Sequence, residues 1–186
     1  MLGPFLVSYV LASCPDDMVF ASSRSCIDRF AWPNDPESRP VLGLSAQRET
    51  YLDLRGQIWD LETLCASRGK RVCTSREWRA ACEGTSRETC PALVSYRAPR
   101  WERVQRRDPF ELARLVQQQD AAAYPNCTSA TGARMMGTIQ EWVRHRRGFA
   151  FSRAFWSREA SCQQLTTSHD PRWHDYATGG RCCLDL

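Results

Sequence analysis

The chain has 186 residues, which suits one domain with its own hydrophobic core, and it carries a net charge of +4. Its basic residues are all arginine except Lys70 and three histidines, and they are mixed with acidic ones. Nucleic-acid binding, which usually needs a basic stripe, is therefore not expected. The one dense basic run, residues 144–147, is predicted to be a solvated face, and no apolar run is as long as a membrane span of about 20 residues.

The first segment, residues 1–13, is apolar and ends in Leu11-Ala12-Ser13-Cys14, which matches the lipid-attachment motif of bacterial lipoproteins. The segment has no basic leader and is short for a signal peptide. Two interpretations follow. In one, Cys14 carries a lipid anchor, which would be the contact of the chain with a membrane. In the other, Cys14 begins the folded domain, residues 14–186, and pairs with Cys26.

The N-terminal part of the domain predicts short strands. The apolar runs Met18–Phe20 and Cys26–Phe30 are separated by polar residues, as in two short strands. Residues 33–40 contain three prolines and have the composition of a loop. From Tyr51 to Ser67, apolar residues recur every three to four positions, which predicts a helix that ends at Gly69.

The central part of the chain predicts two further helices. Thr74 and Glu77 form a capping box, which starts a helix that Gly84 ends. The buried face of that helix is predicted to carry Trp78, Ala81 and Cys82. The sequence Asp-Pro at positions 108 and 109 is a second helix start, for a helix over residues 108–119. After residue 126 the helical signal fades, which indicates a loop-rich half with short strands.

The sequence contains ten cysteines, a density that is rarely found as free thiols in a reducing cytosol. Neither C-x2-C nor C-x3-C occurs, so the spacing typical of zinc ligands is missing. The cysteines therefore predict disulfides and an extracytoplasmic location, whether periplasmic, secreted or lipid-anchored.

Four segments, in chain order, point to one known family. They are residues 26–30 (CIDRF), 65–84 (CASRGKRVCTSREWRAACEG), 136–143 (MGTIQEWV) and 179–182 (GGRC). They resemble the "CIDRYE", "GKRLPTEAEWEYA", "MxGNVWEW" and "GFRC" segments of the formylglycine-generating enzyme (sulfatase-modifying factor) family. The resemblance implies a single α+β domain with an irregular, loop-rich, C-type-lectin-like fold that is stapled by disulfides.

The same resemblance implies two disulfides, Cys65–Cys182 and Cys82–Cys162, at positions where the family has bonded cysteines. With those assigned, Cys14–Cys26 and Cys90–Cys127 are expected as further pairs, which leaves Cys73–Cys183. In the chain-entropy model, the long loop closed by Cys65–Cys182 stabilises the fold by about 4–5 kcal/mol.

The family's oxidase binds copper(I) through two cysteines spaced C-x4-C, shortly before the cysteine that corresponds to Cys162. Copper(I) prefers soft thiolate ligands of this kind. Arg153 and Arg158 align with the two ligand positions, and a protonated guanidinium cannot ligate a metal. No copper is therefore expected, and the oxidase mechanism is not expected to transfer.

Two alternatives would keep a metal-dependent activity in the chain. The adjacent Cys182 and Cys183 would form a displaced copper pair, although neighbouring cysteines more often serve separate bridges. His169 and His174, with two nearby aspartates, would hold a divalent cation on a loop. The simpler interpretation of that loop is a turn built on residues 171–173, with histidines satisfied by hydrogen bonds.

Calcium is a further cofactor that the resemblance implies. The "GNVWEW" loop of the family provides backbone carbonyls and a glutamate to a structural calcium ion, and Gly137, Ile139 and Glu141 match those positions. Oxygen ligands suit calcium. The alternative is that Glu141 caps a backbone group or pairs with an arginine.

These observations favour a non-catalytic, exported binding or structural module that lacks the copper cysteine pair. Its groove would be lined by aromatic and arginine side chains suited to a protein, peptide or glycan ligand, namely Phe151, Arg153, Trp156, Arg158 and Trp173. Phe151 and Trp156 are equally consistent with core positions. The alternatives are an oxidase or other metal-dependent enzyme with a displaced site, and a subunit that pairs with a catalytic relative.

Overall fold

The structure is a computed structural model that describes residues 13–47, 60–85, 90, 127–135, 139–146, 148–152, 161–174 and 177–186. Its strands are β1 (Met18–Ser22), β2 (Ser25–Asp28), β3 (Arg71–Val72), β4 (Gln140–His145), β5 (Gly148–Ser152), β6 (Leu165–Thr166), β7 (Thr178–Gly180) and β8 (Cys182–Asp185). Its helices are α1 (Leu61–Ala66) and α2 (Ser75–Cys82). The predicted helix at 108–119 and residues 1–12 of the apolar segment lie outside the described residues.

The strands of the described part form two four-stranded sheets. The first sheet is antiparallel and has the order β1-β2-β8-β3. The second has the order β6-β5-β4-β7, and β7 runs parallel to β4. A single residue, Arg181, separates β7 from β8, so the chain crosses from one sheet to the other at that point. The architecture is mixed α/β, mostly sheet, with long loops.

Several local predictions are confirmed, and one predicted helix is interrupted at Asp60. β1 and β2 coincide with the two apolar runs, and residues 33–40 form a loop. The helix predicted for Tyr51–Ser67 is not continuous, because Asp60 has extended backbone and is the N-cap of α1, and residues 51–59 lie outside the described residues. Its carboxylate accepts the N–H of Thr63 at 2.8 Å, so Asp60 begins a helix and does not continue one.

Helix α2 begins at the predicted capping box. The Thr74 hydroxyl accepts the N–H of Glu77 at 3.3 Å, and the Glu77 carboxylate accepts the N–H of Thr74 at 2.7 Å. The predicted buried face is also present, with Trp78, Ala81 and Cys82. Gly84 follows the helix with a φ of 87°, a left-handed conformation that glycine adopts without strain.

The two faces of β8 pack into two hydrophobic clusters. Successive side chains of a strand point to opposite faces. Cys182 accordingly belongs to a cluster with Leu61 and Phe151, whereas Cys183 belongs to one with Ile27 and Trp78. Strand β8 therefore lies between the two halves of the core.

All ten cysteines are paired, in the disulfides Cys14–Cys26, Cys65–Cys182, Cys73–Cys183, Cys82–Cys162 and Cys90–Cys127. These are the same pairs that were expected above. Two of the bridges start at adjacent residues of β8. They bond Cys182 to Cys65, which precedes β3, and Cys183 to Cys73, which follows it. Several disulfides indicate an oxidising, extracytoplasmic environment.

The two β8 bridges should not contribute independently to stability. Each closes a loop of over one hundred residues, with sequence separations of 117 and 110. When one bridge is removed, the other still closes that loop, so only a small ring of about ten residues is lost, at a cost of about 3 kcal/mol. Removing both bridges also releases the long loop, which the remaining Cys82–Cys162 bridge shortens to about 40 residues in the unfolded chain, so the total cost is about 7 kcal/mol, about 1 kcal/mol more than twice the single loss.

Unfolding in guanidinium measures this coupling. The proteins to compare are the wild type, Cys65→Ala/Cys182→Ala, Cys73→Ala/Cys183→Ala and the fourfold variant. Packing losses from each sulfur pair occur in both the double and the fourfold variants, so they cancel in the comparison. The Cys14→Ala/Cys26→Ala variant is the control, because its short loop encloses neither bridge and its loss should add to each of the others. If the loss of stability in the fourfold variant equals the sum of the losses in the two double variants, the two bridges act independently and the expectation is wrong.

Glu77 has a second role beyond capping, as the partner of Arg71. The two terminal nitrogens of Arg71 donate to the two oxygens of Glu77 at 2.9 and 2.8 Å, and Arg71 also pairs with Asp185. Burial alone would raise the pKa of Glu77. Hydrogen bonds from Arg71 and Thr74 outweigh burial and lower the pKa to about 2.

A depressed pKa makes the contribution of Glu77 to stability depend on pH. The contribution is present above the ordinary value of 4.5 and is lost as the pH falls towards 2. We expect Glu77→Gln to lower the free energy of unfolding by about 2–3 kcal/mol at pH 7 and by much less near pH 2. Urea unfolding at pH 7, 4 and 2.5 measures the difference. Asp185→Asn, which removes the exposed partner of Arg71, should cost less than about 1 kcal/mol. A loss for Glu77→Gln that is the same at all three values would rule out this explanation.

Candidate functional site

The groove residues predicted from the sequence fall into two groups. Phe151 on β5 is 2% exposed and packs edge-on against Trp142, with ring centroids 4.9 Å apart. It is a core residue, so its expected place in a binding groove is wrong and the alternative applies. Trp173 is half-buried and stacks on Phe151 at 5.6 Å, which leaves part of its ring at the surface. The other three predicted residues, Arg153, Trp156 and Arg158, lie outside the described part of the chain.

The histidines proposed as metal ligands lie in a polar turn. His169 stacks on Trp173 with ring centroids 4.1 Å apart, and Nδ1 of exposed His174 lies 3.3 Å from the carbonyl oxygen of Arg172. The carboxylate of Asp170 accepts the Nε–H and the backbone N–H of Arg172, and these hydrogen bonds hold its pKa below the ordinary value. Among the described residues, no three His, Cys, Asp or Glu side chains are grouped to hold a metal. Residues 171 and 172 form a turn, Asp175 lies outside the described residues, and the metal site stays a prediction.

An open groove that the sequence did not predict lies between α1 and this turn. It encloses about 610 Å³ and is lined by Gln47, Glu62, Thr63, Ala66, Asp170, Pro171 and Arg172. The turn is fixed in place because the backbone N–H groups of Ala46 and Gln47 donate to the carbonyl oxygen of Pro171. Both carboxylates are ion-paired, Glu62 with Arg144 and Asp170 with Arg172. The walls of the groove come from three parts of the chain that are far apart in sequence, so no local sequence pattern could have predicted the groove.

Glu141 lies at the centre of a buried polar cluster. Its two carboxylate oxygens accept Nε and Nη2 of Arg181 at 2.7 and 2.8 Å, and one also accepts the indole N–H of Trp78 at 2.8 Å. Arg181 also donates to the backbone carbonyls of Asp28, Arg29 and Arg134. Glu141 is 1% exposed and Arg181 is completely buried. The two charges therefore neutralise each other out of contact with water.

The expected calcium site does not fit these contacts. A calcium ion needs free carboxylate oxygens, whereas both oxygens of Glu141 already accept hydrogen bonds from donors. The nearest donor is a guanidinium, whose positive charge opposes a bound cation. Glu141 therefore has its alternative role, pairing with an arginine. Ile139 is buried in a small apolar cluster, and Gly137 lies outside the described residues.

The cysteines considered for other chemistry are bonded. Cys182 and Cys183 each form a disulfide with a different partner, so neither offers a thiolate for a displaced copper pair. The sulfur of Cys14 is bonded to Cys26, which is the second of the two interpretations given for this residue. A lipid thioether would need the same sulfur atom.

Together these features define a class of protein: a disulfide-linked, loop-rich domain of mixed α/β structure built on two small sheets. No helix in the described part of the chain is long and apolar enough to cross a membrane. No family model matches the chain, and no curated protein matches it.

The chain is similar in fold to a solved structure of low sequence identity. Among the similar structures is the Major Tropism Determinant U1 variant, with a TM-score of 0.55 and 10% sequence identity, and the match covers 92% of this chain and 53% of that one. That protein has a C-type-lectin-like fold. The likeness supports the fold class alone, and this chain spans about half the length of its structural neighbour. The resemblance to the formylglycine-generating enzyme family stays a prediction.

Removing the charge of Glu141 should be far more costly than removing an exposed carboxylate. Glu141→Gln leaves Arg181 buried without a counter-ion, so we expect the free energy of unfolding to fall by about 3–5 kcal/mol. The matched control is Glu62→Gln, which breaks the exposed ion pair with Arg144 and should cost less than about 1 kcal/mol. Thermal and urea unfolding of the three proteins give both values. Equal losses for the two variants would show that the buried ion pair stabilises the fold no more than the exposed one.

Proposed function

We propose that this chain is an exported, non-catalytic binding or structural module, related to the sulfatase-modifying factors, that has lost the copper cysteine pair. The observation that carries the proposal is the state of its sulfur atoms. All ten cysteines form disulfides, so none is a thiolate that can bind copper(I) or a substrate thiol.

The positions of the bonded cysteines strengthen this argument. Cys182 and Cys183 project to opposite faces of β8 and belong to different hydrophobic clusters, so they do not share one site. Bonds with sequence separations of 80 to 117 residues hold distant segments together, which is the role of structural disulfides in domains with little regular structure. Arg153 and Arg158, at the positions aligned with the copper ligands, offer no replacement.

The proposed binding face is centred on Trp173. Its half-buried ring stacks on the buried ring of Phe151, which packs against Trp142, so the exposed part of the Trp173 ring is presented with little freedom to move. The open groove beside α1 adjoins the turn that carries Trp173 and adds polar groups of both charges. The proposed ligand is a protein, peptide or glycan, and the proposed location is the periplasm or the extracellular space.

Counting thiols and titrating copper test the proposal together. We expect iodoacetamide to label no cysteine in the denatured, non-reduced protein and ten after reduction. Copper(I), added in competition with a chromogenic chelator, should not bind the oxidised protein stoichiometrically. The reduced protein should take copper from the same chelator, which shows that the assay detects thiolate binding. Two unbonded thiols, or one tightly bound copper ion in the non-reduced protein, would overturn the proposal.

A further inference from the structure

The five disulfides differ in how deeply their cysteines are buried. In two of them one cysteine is partly exposed, namely Cys162 in Cys82–Cys162 and Cys14 in Cys14–Cys26. The rate of thiol–disulfide exchange depends on access to the attacked sulfur, so a thiol is expected to reach these two bridges in the folded protein. Both cysteines are buried in the other three bridges, which are Cys65–Cys182, Cys73–Cys183 and Cys90–Cys127.

Arg79 places a positive charge beside the Cys82–Cys162 bridge. It lies three residues before Cys82 on α2, a spacing that puts the two side chains on the same side of the helix. Its Nη2 donates to the carbonyl oxygen of Gln163, the residue after Cys162, at 3.1 Å. A guanidinium in this position attracts an incoming thiolate and stabilises the cysteine thiolate that leaves.

The bridge fastens residues 161–166 to α2. In the described part of the chain, these residues are also held by the hydrogen bond from Arg79, by packing of Leu165 against the core, and by β6. Strand β6 has two residues, both half-buried, and lies at the edge of its sheet. A strand this short adds little stability by itself, so the bridge is the main attachment of these residues.

The same residues support the face centred on Trp173. Thr166 of β6 pairs with Phe151 of β5, and the Phe151 ring stacks on the Trp173 ring. His169, three residues after β6, packs between them in sequence and in space, with its ring centroid 5.1 Å from that of Phe151. Detaching β6 therefore removes a neighbour of the strand on which Trp173 rests.

The rest of the fold does not need this bridge. Strand β8 is bonded through Cys182 and Cys183 to buried partners, and the ion pair of Glu141 with Arg181 joins the two sheets. Opening the Cys82–Cys162 bridge is therefore a local event, which leaves the core closed.

We propose that Cys82–Cys162 is a redox-sensitive bridge that regulates the face centred on Trp173. The closed bridge holds residues 161–166 against α2 and keeps the face rigid. The open bridge releases them and loosens the support of the Trp173 ring. The regulatory part of this proposal rests on the function proposed above, because it concerns the same face.

The reductant is a dithiol, such as that of a thiol–disulfide exchange protein. One of its thiols loses a proton and attacks Sγ of Cys162. The disulfide bond breaks, and its electron pair leaves on Sγ of Cys82, which takes up a proton. The second thiol then loses its proton and attacks the mixed disulfide, which frees Cys162 as a protonated thiol. The bridge is thereby reduced to two thiols, and the dithiol is oxidised to a disulfide.

Reduction of the native, full chain by dithiothreitol tests the chemical step. Samples are alkylated with iodoacetamide at intervals and mapped by mass spectrometry, and circular dichroism follows the fold. We expect Cys82 and Cys162 to be labelled about tenfold or more faster than the cysteines of the three buried bridges, while the domain stays folded. Arg79→Gln should slow this labelling about two- to fivefold. The matched control is Arg76→Gln, which removes the same charge from an exposed position of α2 and should change the rate little.

Hydrogen exchange tests the regulatory step. In Cys82→Ala/Cys162→Ala, peptides over residues 161–174 should exchange about tenfold or more faster than in the wild type, because this segment opens locally. The control Cys14→Ala/Cys26→Ala removes the other accessible bridge and should leave exchange in these peptides unchanged.

Three results would overturn the proposal. They are reduction of Cys82–Cys162 no faster than that of the buried bridges, reduction in Arg79→Gln at least as fast as in the wild type, and unchanged exchange over residues 161–174 in the double variant. Free thiols present before any reductant is added would contradict the proposed function instead, so the two failures are distinguishable.

Discussion

Arg181 and Glu141 form an ion pair in the dry centre of the molecule, and the two sheets meet at this pair. Arg181 is the single residue between β7 and β8, Glu141 lies on β4, and Trp78 of α2 donates to the same carboxylate. The guanidinium also donates to the backbone carbonyls of Asp28, at the end of β2, and of Arg29 and Arg134. Burying two charges costs several kcal/mol unless each finds its partners, so a misplaced sheet or helix leaves a charge unpaired. The pair therefore selects this one arrangement of sheets and helix over others of similar hydrophobicity.

Strand β8 is held by a second buried carboxylate. Asp28 accepts the ammonium of Lys70, the only lysine of the chain, at 2.7 Å, and the backbone N–H of Cys182 at 2.9 Å. Burial raises the pKa of Asp28, and the hydrogen bond and charge of Lys70 offset part of that rise. Disulfides leave the same strand from Cys182 and Cys183. Three constraints thus converge on β8, namely the hydrogen bond to Asp28 and two disulfides, which explains how the described part of the chain, with two short helices and small sheets, keeps a defined core.

The sequence predicted the local features well, because their signals lie within a few residues. The Thr74–Glu77 box needs only a spacing of three, and Gly84 ends the helix immediately after it. The helix over residues 51–67 was misjudged because an aspartate such as Asp60 fits both a helix interior and an N-cap, and the apolar periodicity does not distinguish them. Glu141 was one of 21 acidic residues facing 25 Lys and Arg, so its pairing with Arg181 over 40 positions could be named only as an alternative. The disulfide pairs came from a family resemblance, since ten cysteines by themselves allow many connectivities.

The basic residues that stabilise the fold are different from those exposed at the surface. Three basic side chains pair with buried carboxylates and so hold strands and α2 in place: Lys70, Arg71 and Arg181. In the part of the chain that the structure describes, Arg76 and Arg146 contact no carboxylate, so no ion pair of theirs holds the fold. A domain held by disulfides and buried ion pairs places few demands on its exposed residues, which can then change without loss of the fold.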